Sequence, residues 1–95
     1  MTETKINIQG NKGTITLFYD AENAGHIEFN IDAEGNIDID HTEVDPKFGG
    51  KGLGKVLVMA AVEYAKENDI SIKTTCPFAH KVFDRTPEIQ SFWKN

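Results

Sequence analysis

The sequence predicts an α+β domain: an antiparallel meander of four short strands, a long helix, a fifth strand, a second helix and a short C-terminal helix. Two observations predict it. As far as His41, apolar residues recur at every second position between turns rich in Gly and Asn. From Gly52 onward they recur at helical spacing instead.

The strands come first. Ile6 and Ile8 alternate with polar residues, and Asn11-Lys12-Gly13 is a turn signal. Ile15, Leu17 and Tyr19 then alternate with Thr14, Thr16 and Phe18. Ala24-Gly25 punctuates, and Ile27, Phe29 and Ile31 alternate with His26, Glu28 and Asn30. Glu34-Gly35-Asn36 turns the chain again, and Ile37 and Ile39 alternate with Asp38 and Asp40. In this fourth strand Ile37, Ile39 and His41 share one parity while Val44 has the other. Either both faces are covered there, or a bulge between His41 and Val44 resets the register and splays the strand from its neighbour.

The helices follow. Leu53, Leu57, Ala60, Ala61 and Tyr64 form the apolar stripe of an amphipathic helix from Gly52 to about Asn68, with Lys55, Glu63, Lys66 and Glu67 on its polar side. Asn68-Asp69 ends it, and a fifth strand runs from Ile70 to Thr75. A helical crossover of this kind joins parallel neighbours, so the fifth strand lies parallel to the fourth. Pro77 fits the first position of the second helix, capped by Thr75 or Cys76, and Thr86-Pro87 breaks that helix. In the tail, Ile89, Phe92 and Trp93 are expected to pin a short third helix to the core.

The 95 residues suit one domain, spanning 1–95, with a single modest core. At 39% hydrophobic and 26% charged residues, the composition is that of a globular fold rather than a disordered chain. The N-terminal MTETKINIQG lacks the apolar stretch of a signal peptide, and Cys76, the single cysteine, has no partner for an internal disulfide. A cytoplasmic location is therefore expected, without a membrane association. The net charge of −5 argues against nucleic acid as a partner, because phosphate contacts require clustered cations. The charge is uneven, however. Glu28 to Asp45 holds seven acids and no Lys or Arg, whereas Lys47 to Lys55 holds three lysines and no acid. A local anion site is one reading of that island, and chance clustering on a solvated surface is the other.

The segment Phe48-Gly49-Gly50-Lys51-Gly52-Leu53-Gly54-Lys55 decides between them. It follows a strand and opens a helix, with four glycines in six residues beside lysines. Glycines admit a ligand close to the backbone, and a helix start presents unpaired N–H groups. This is the composition of a phosphate cradle. It is not that of an ATP- or GTP-hydrolysing P-loop, since Val56 stands where the Mg²⁺-binding hydroxyl is required.

The loop resembles the pyrophosphate loop of the GNAT superfamily of acetyl-CoA-dependent N-acetyltransferases. That loop reads Gln or Arg, two residues, Gly, one residue, then Gly or Ala. Gly49 takes the first position, and Gly52 and Gly54 take the small ones. The resemblance covers His41 to Phe83 and, in topology, the preceding meander. His41-Thr42-Glu43-Val44 and Cys76-Pro77-Phe78 further resemble a short single-domain branch of the superfamily.

The resemblance implies that acetyl-CoA is the acetyl donor. Its pantetheine would pair with the backbone near Val44 and Asp45, and its pyrophosphate would meet Gly49, Gly50, Lys51, Gly52, Leu53, Gly54 and Lys55. Cys76, Phe78, Ala79 and Phe83 would flank it, with the thioester near His41 and Cys76. Phe83 stands where many relatives carry a Tyr that protonates the leaving thiolate, and Cys76 where they carry Asn. The helices that normally shape the acceptor pocket have no counterpart in the short turn Asn11 to Gly13. The acceptor site is therefore expected to be open, or completed by another chain, and to take an amine on a protein or a small polyamine.

Acetyl transfer needs a neutral amine, a polarised carbonyl and a proton for the thiolate. Cys76 is the leading candidate, as nucleophile or acid, because a helix N-terminus favours a thiolate. It also fits a pocket-wall residue. His41 is a candidate base or partner of Cys76, or equally a core histidine, and Glu43 could take a proton through water. No metal is expected, since three dispersed histidines and one cysteine do not form a ligand set. The competing reading is a coenzyme A-binding module without robust catalysis.

Overall fold

A computed structural model describes residues 1–94. Its five strands form one sheet in sequence order: β1 (Thr2–Gln9), β2 (Lys12–Tyr19), β3 (Glu22–Ile31), β4 (Ile37–Val44) and β5 (Ile72–Thr74). The first four pair antiparallel, and β5 is parallel to β4, as the helical crossover requires. Helix α1 (Leu53–Asn68) forms that crossover, and α2 (Pro77–Asp84) follows β5 with Pro77 in its first turn. The C-terminal helix is a 3₁₀ segment, Pro87–Phe92. No helix among the described residues is long and apolar enough to cross a membrane.

The core lies between one sheet face and α1. Ile15, Leu17, Ile27, Phe29, Ile37, Ile39 and Ile72 bury against Leu57, Val58, Ala61 and Ala65. Phe29 reaches over Gly13, where a Cβ would collide with its ring. The C-terminus closes the sheet edge. Lys94 N–H donates to Ile72 C=O at 2.7 Å, and Trp93 Nε1–H donates to Thr74 Oγ1 at 3.0 Å. Ile89 is buried and Phe92 and Trp93 half-buried, so the tail is pinned as expected.

Several local expectations are corrected. The first hairpin turns at Gly10-Asn11, leaving Lys12 and Gly13 inside β2. The second turns at Asp20-Ala21, both with positive φ, so Ala24 and Gly25 lie within β3. Ile6 and Ile8 remain about two-fifths exposed, because α1 does not extend far enough to cover β1. β5 is shorter than Ile70 to Thr75, and Cys76 caps α2 by position only, with no side-chain hydrogen bond to the helix.

Candidate active site

The glycine loop is anchored before it begins. Asp45 Oδ1 accepts from Lys47 N–H at 3.0 Å and starts a single 3₁₀ turn, Pro46–Phe48. Phe48 is buried, with its ring 5.6 Å from that of Tyr19. The chain then uses left-handed conformations at Gly50 (φ +79°) and Gly52 (φ +71°). A Cβ at either position would meet nothing within 4 Å, so the backbone angle, not crowding, requires glycine there. Gly52 is the N-cap of α1, and the first helical bond runs from Val56 N–H to Gly52 C=O at 3.3 Å. The N–H groups of Leu53, Gly54 and Lys55 thus have no partner within the helix and carry its positive dipole end.

Gly54 has a different reason to lack a side chain. A Cβ there would strike the ring of Phe78, which lies across the start of α1 from the first turn of α2. Phe78 itself is 43% exposed. Among the lysines, Lys47 Nζ donates to Glu22 Oε2 at 2.8 Å, and this hydrogen bond and its attraction raise the Lys47 pKa above the ordinary value. Lys51 sits over the Tyr19 ring at 5.1 Å, and Lys55 is exposed. Lys47 is thus committed to a carboxylate, and Lys51 and Lys55 are the cations left to a ligand.

Beside this loop the sheet opens. Ladder pairing between β4 and β5 ends at Ile39 and Thr74. Ile39 C=O accepts from both Thr75 N–H (3.0 Å) and Cys76 N–H (2.9 Å), after which the chain turns into α2. β4 continues to Val44 without β5. Asp45 N–H donates to Ala24 C=O at 2.8 Å, which marks Gly25–Val44 as a pair that exchanges no hydrogen bonds of its own. Val44 therefore turns its N–H and C=O away from β3, toward the opening. β4 thus has an open edge at Val44, which arises because β5 ends at Thr74 and not from the bulge expected between His41 and Val44.

Cys76 stands where the two strands part. It is 7% exposed, and its Sγ donates to Thr42 Oγ1 at 3.5 Å. Thr42 was not singled out in the sequence, because the bulge that orients it lies elsewhere than expected. The register shift opposes Glu28–His41 and Phe29–Ile39, leaving Asp40 as the extra residue. Parity flips at Asp40, before His41. Thr42 and Val44 therefore face inward, and His41 and Glu43 face outward. His41 Nε2 and Glu43 Oε1 lie 3.3 Å apart, with both side chains at least half exposed. The structure thus brings Cys76 to Thr42, not to His41, and His41 is no core histidine.

The histidines are not all dispersed either. The His26 and His41 rings lie with centroids 5.7 Å apart on the outer sheet face. His80 is separate, edge-on to Trp93 at 5.0 Å. Ala79 and Phe83 are fully buried, and Phe83 packs on Trp93 with ring centroids at 5.6 Å, so both are core residues in this conformation. A hollow of about 230 Å³ lies elsewhere, between β1 and α1, lined by Thr4, Ile6, Ala60, Glu63 and Tyr64 among others. Its lining includes no Cys, His, Lys or Arg.

The comparisons with known proteins agree with this fold. The GCN5-related N-acetyl-transferase family profile matches residues 14–92. A GCN5-like protein from Staphylococcus aureus, solved by NMR, is 31% identical, with a TM-score of 0.70 over 96% of this chain and 88% of that one. A ribosomal-protein-alanine N-acetyltransferase from Brucella melitensis shares the fold at 20% identity, with a TM-score of 0.69 over 81% of this chain and 62% of that one. Among curated proteins, Protein NATD1 of Xenopus tropicalis is 35% identical over 51 residues, 54% of this chain and 47% of its own length. Human Protein NATD1 is 33% identical over 51 residues, 54% of this chain and 45% of its own length. The match thus spans about half the length of these relatives. With the profile covering most of the chain and the strand–loop–helix site in place, this chain belongs to the GCN5-related N-acetyltransferase family.

Proposed function

We propose that the chain binds acetyl-CoA in the opening between β4 and β5 and transfers the acetyl group to an amine. The observation that carries this reading is the meeting of a splayed strand edge with a helix-opening glycine loop. Val44 offers an N–H and a C=O to an extended pantetheine, as a sheet edge accepts a peptide. The amides of Gly50 to Lys55, with Lys51 and Lys55, receive the pyrophosphate, whereas the Gly49 N–H already donates to Pro46 C=O at 3.1 Å. Two proteins of similar fold were solved with the ligand: a streptothricin acetyltransferase-like protein from Bacillus anthracis with acetyl coenzyme A (TM-score 0.56, 25% identity) and PaiA N-acetyltransferase from Thermoplasma acidophilum with coenzyme A (TM-score 0.55, 24% identity).

In the proposed reaction the amine nitrogen attacks the thioester carbon. The N–C bond forms, the C–S bond breaks, the amine loses a proton and the coenzyme A thiolate gains one. Cys76 is the proposed proton donor or acyl-accepting nucleophile at the point where the strands part. Glu43 and His41 are the proposed proton acceptors on the outer face, directly or through water. That face has no covering helix among the described residues and carries Glu28, Asp40 and Glu43, all exposed. It suits a cationic acceptor too large for a closed pocket.

A second reading, coenzyme A binding without robust turnover, is favoured by one observation: Phe83 is buried and has no hydroxyl to donate. Mass spectrometry of amines incubated with enzyme and acetyl-CoA separates the two. A product heavier than its amine by one acetyl group is expected with a lysine-bearing polypeptide more than with small amines. Coenzyme A affinity without any acetylated product across peptides, polyamines and proteins would leave only the binding module.

A further inference from the structure

The outer sheet face holds a wider constellation, in which His26 and Glu28 stand beside the proposed proton acceptors His41 and Glu43. The tripeptides His26-Ile27-Glu28 in β3 and His41-Thr42-Glu43 in β4 have the same His-x-Glu form. Antiparallel pairing sets them head to tail: His26 opposes Glu43 and Glu28 opposes His41. Residues two apart on a strand share a face, so all four side chains project to the same side. The bulge at Asp40 creates this register. Without it, His41 would face the core.

We infer that this quartet is a binding site for a divalent transition ion of the Zn²⁺ type, with His26, Glu28 and His41 as ligands and Glu43 beside them. One ligand atom from each of the first three lies within 4.8 Å of the others. Neighbouring ligands around a tetrahedral zinc lie about 3.4 Å apart, given bonds of about 2.0–2.2 Å. His26 Nε2 to Glu28 Oε2 is 3.1 Å and His41 Nε2 to Glu43 Oε1 is 3.3 Å, so each strand already presents a pair at that separation. Closing the remainder requires only rotation of side chains that are 30–63% exposed. The strands supply a rigid base, since β3 and β4 are paired along this stretch. Imidazole nitrogens with carboxylate oxygens suit Zn²⁺ over Mg²⁺ or Ca²⁺, which prefer oxygen alone. The bland alternative is a ladder of His–Glu hydrogen bonds with no affinity for a metal.

The test uses the tag-free chain, without coenzyme A or any activity readout, so its outcome is separate from that of the acetyl-transfer proposal. Zn²⁺ should bind at one equivalent, and the imidazole signals of His26 and His41 should shift while those of His80 stay. His26→Gln and His41→Gln should each weaken binding at least tenfold, measured against a chromogenic chelator. His80→Gln and Cys76→Ser should leave it unchanged. The thermal midpoint should rise with Zn²⁺ in the wild type and not in the His26→Gln/His41→Gln double variant, because an ion bound only to the folded state stabilises it. None of the ligands is buried, so the variants should keep the wild-type circular dichroism. Absence of ring shifts at a several-fold excess of Zn²⁺, shifts confined to His80, or equal affinity in the double variant would each overturn the site.

Discussion

Alanine in place of Cys76 is expected to slow acetyl transfer by roughly 10²–10⁴-fold, the usual weight of a positioned proton donor, while coenzyme A still binds. The thiol lies where β4 and β5 part and touches Thr42, whereas the proposed pyrophosphate contacts belong to a separate loop. The two properties should therefore separate. If Cys76 is the nucleophile, wild-type enzyme incubated with acetyl-CoA should carry an acetyl group that maps to Cys76. That labelling should persist in His41→Ala, because His41 contacts Glu43 and His26 rather than the thiol. If Cys76 is the acid, no acyl-enzyme accumulates, yet turnover is still lost in Cys76→Ala. Near-normal turnover in that variant would reduce the residue to a wall of the cleft. Transfer would then rest on Glu43 and water.

The second large effect is expected at Gly52. Its φ of +71° is a left-handed conformation, and a β-branched residue there is a steric outlier. Forcing it costs on the order of 1–2 kcal/mol, so Gly52→Val should either strain the loop or flip it out of the binding conformation. A cost of that size corresponds to roughly tenfold weaker coenzyme A binding. Gly10→Val supplies the control, with a similar φ of +63° in the β1–β2 turn. It should lower stability comparably and leave affinity unchanged. Gly54→Val acts by a different route, since its side chain must displace the Phe78 ring from the start of α1. Equal affinity in wild type, Gly52→Val and Gly54→Val would mean that the loop does not hold the ligand.

Much of this was legible in residues whose signals are local. The alternation of Ile15 and Leu17, then Ile27 and Phe29, placed β2 and β3 on one buried face because period-two burial leaves no other register. The glycines from 49 to 54 announced a helix start, and Pro77 marked the first turn of α2. Pairing-dependent features were not legible. The bulge at Asp40 is a property of β3 and β4 together, and nothing in Asp40-His41-Thr42 alone shows where the extra residue sits. The error carried His41 to the wrong face and hid Thr42 as the neighbour of Cys76. The parity conflict at Val44 did signal that a bulge existed. In the same way, the juxtaposition of His26 and His41 depends on strand register, because fourteen residues separate them along the chain.

Coenzyme A is proposed to occupy the glycine loop and the adjoining edge of β4. An NMR titration of the isotope-labelled chain with coenzyme A tests this most directly. Backbone amide shifts are expected to concentrate from Val44 to Lys55 and at Cys76, saturating together, with the β1–β2 hairpin unmoved. Shifts centred instead on the hollow between β1 and α1, around Ile6, Ala60 and Tyr64, would contradict it.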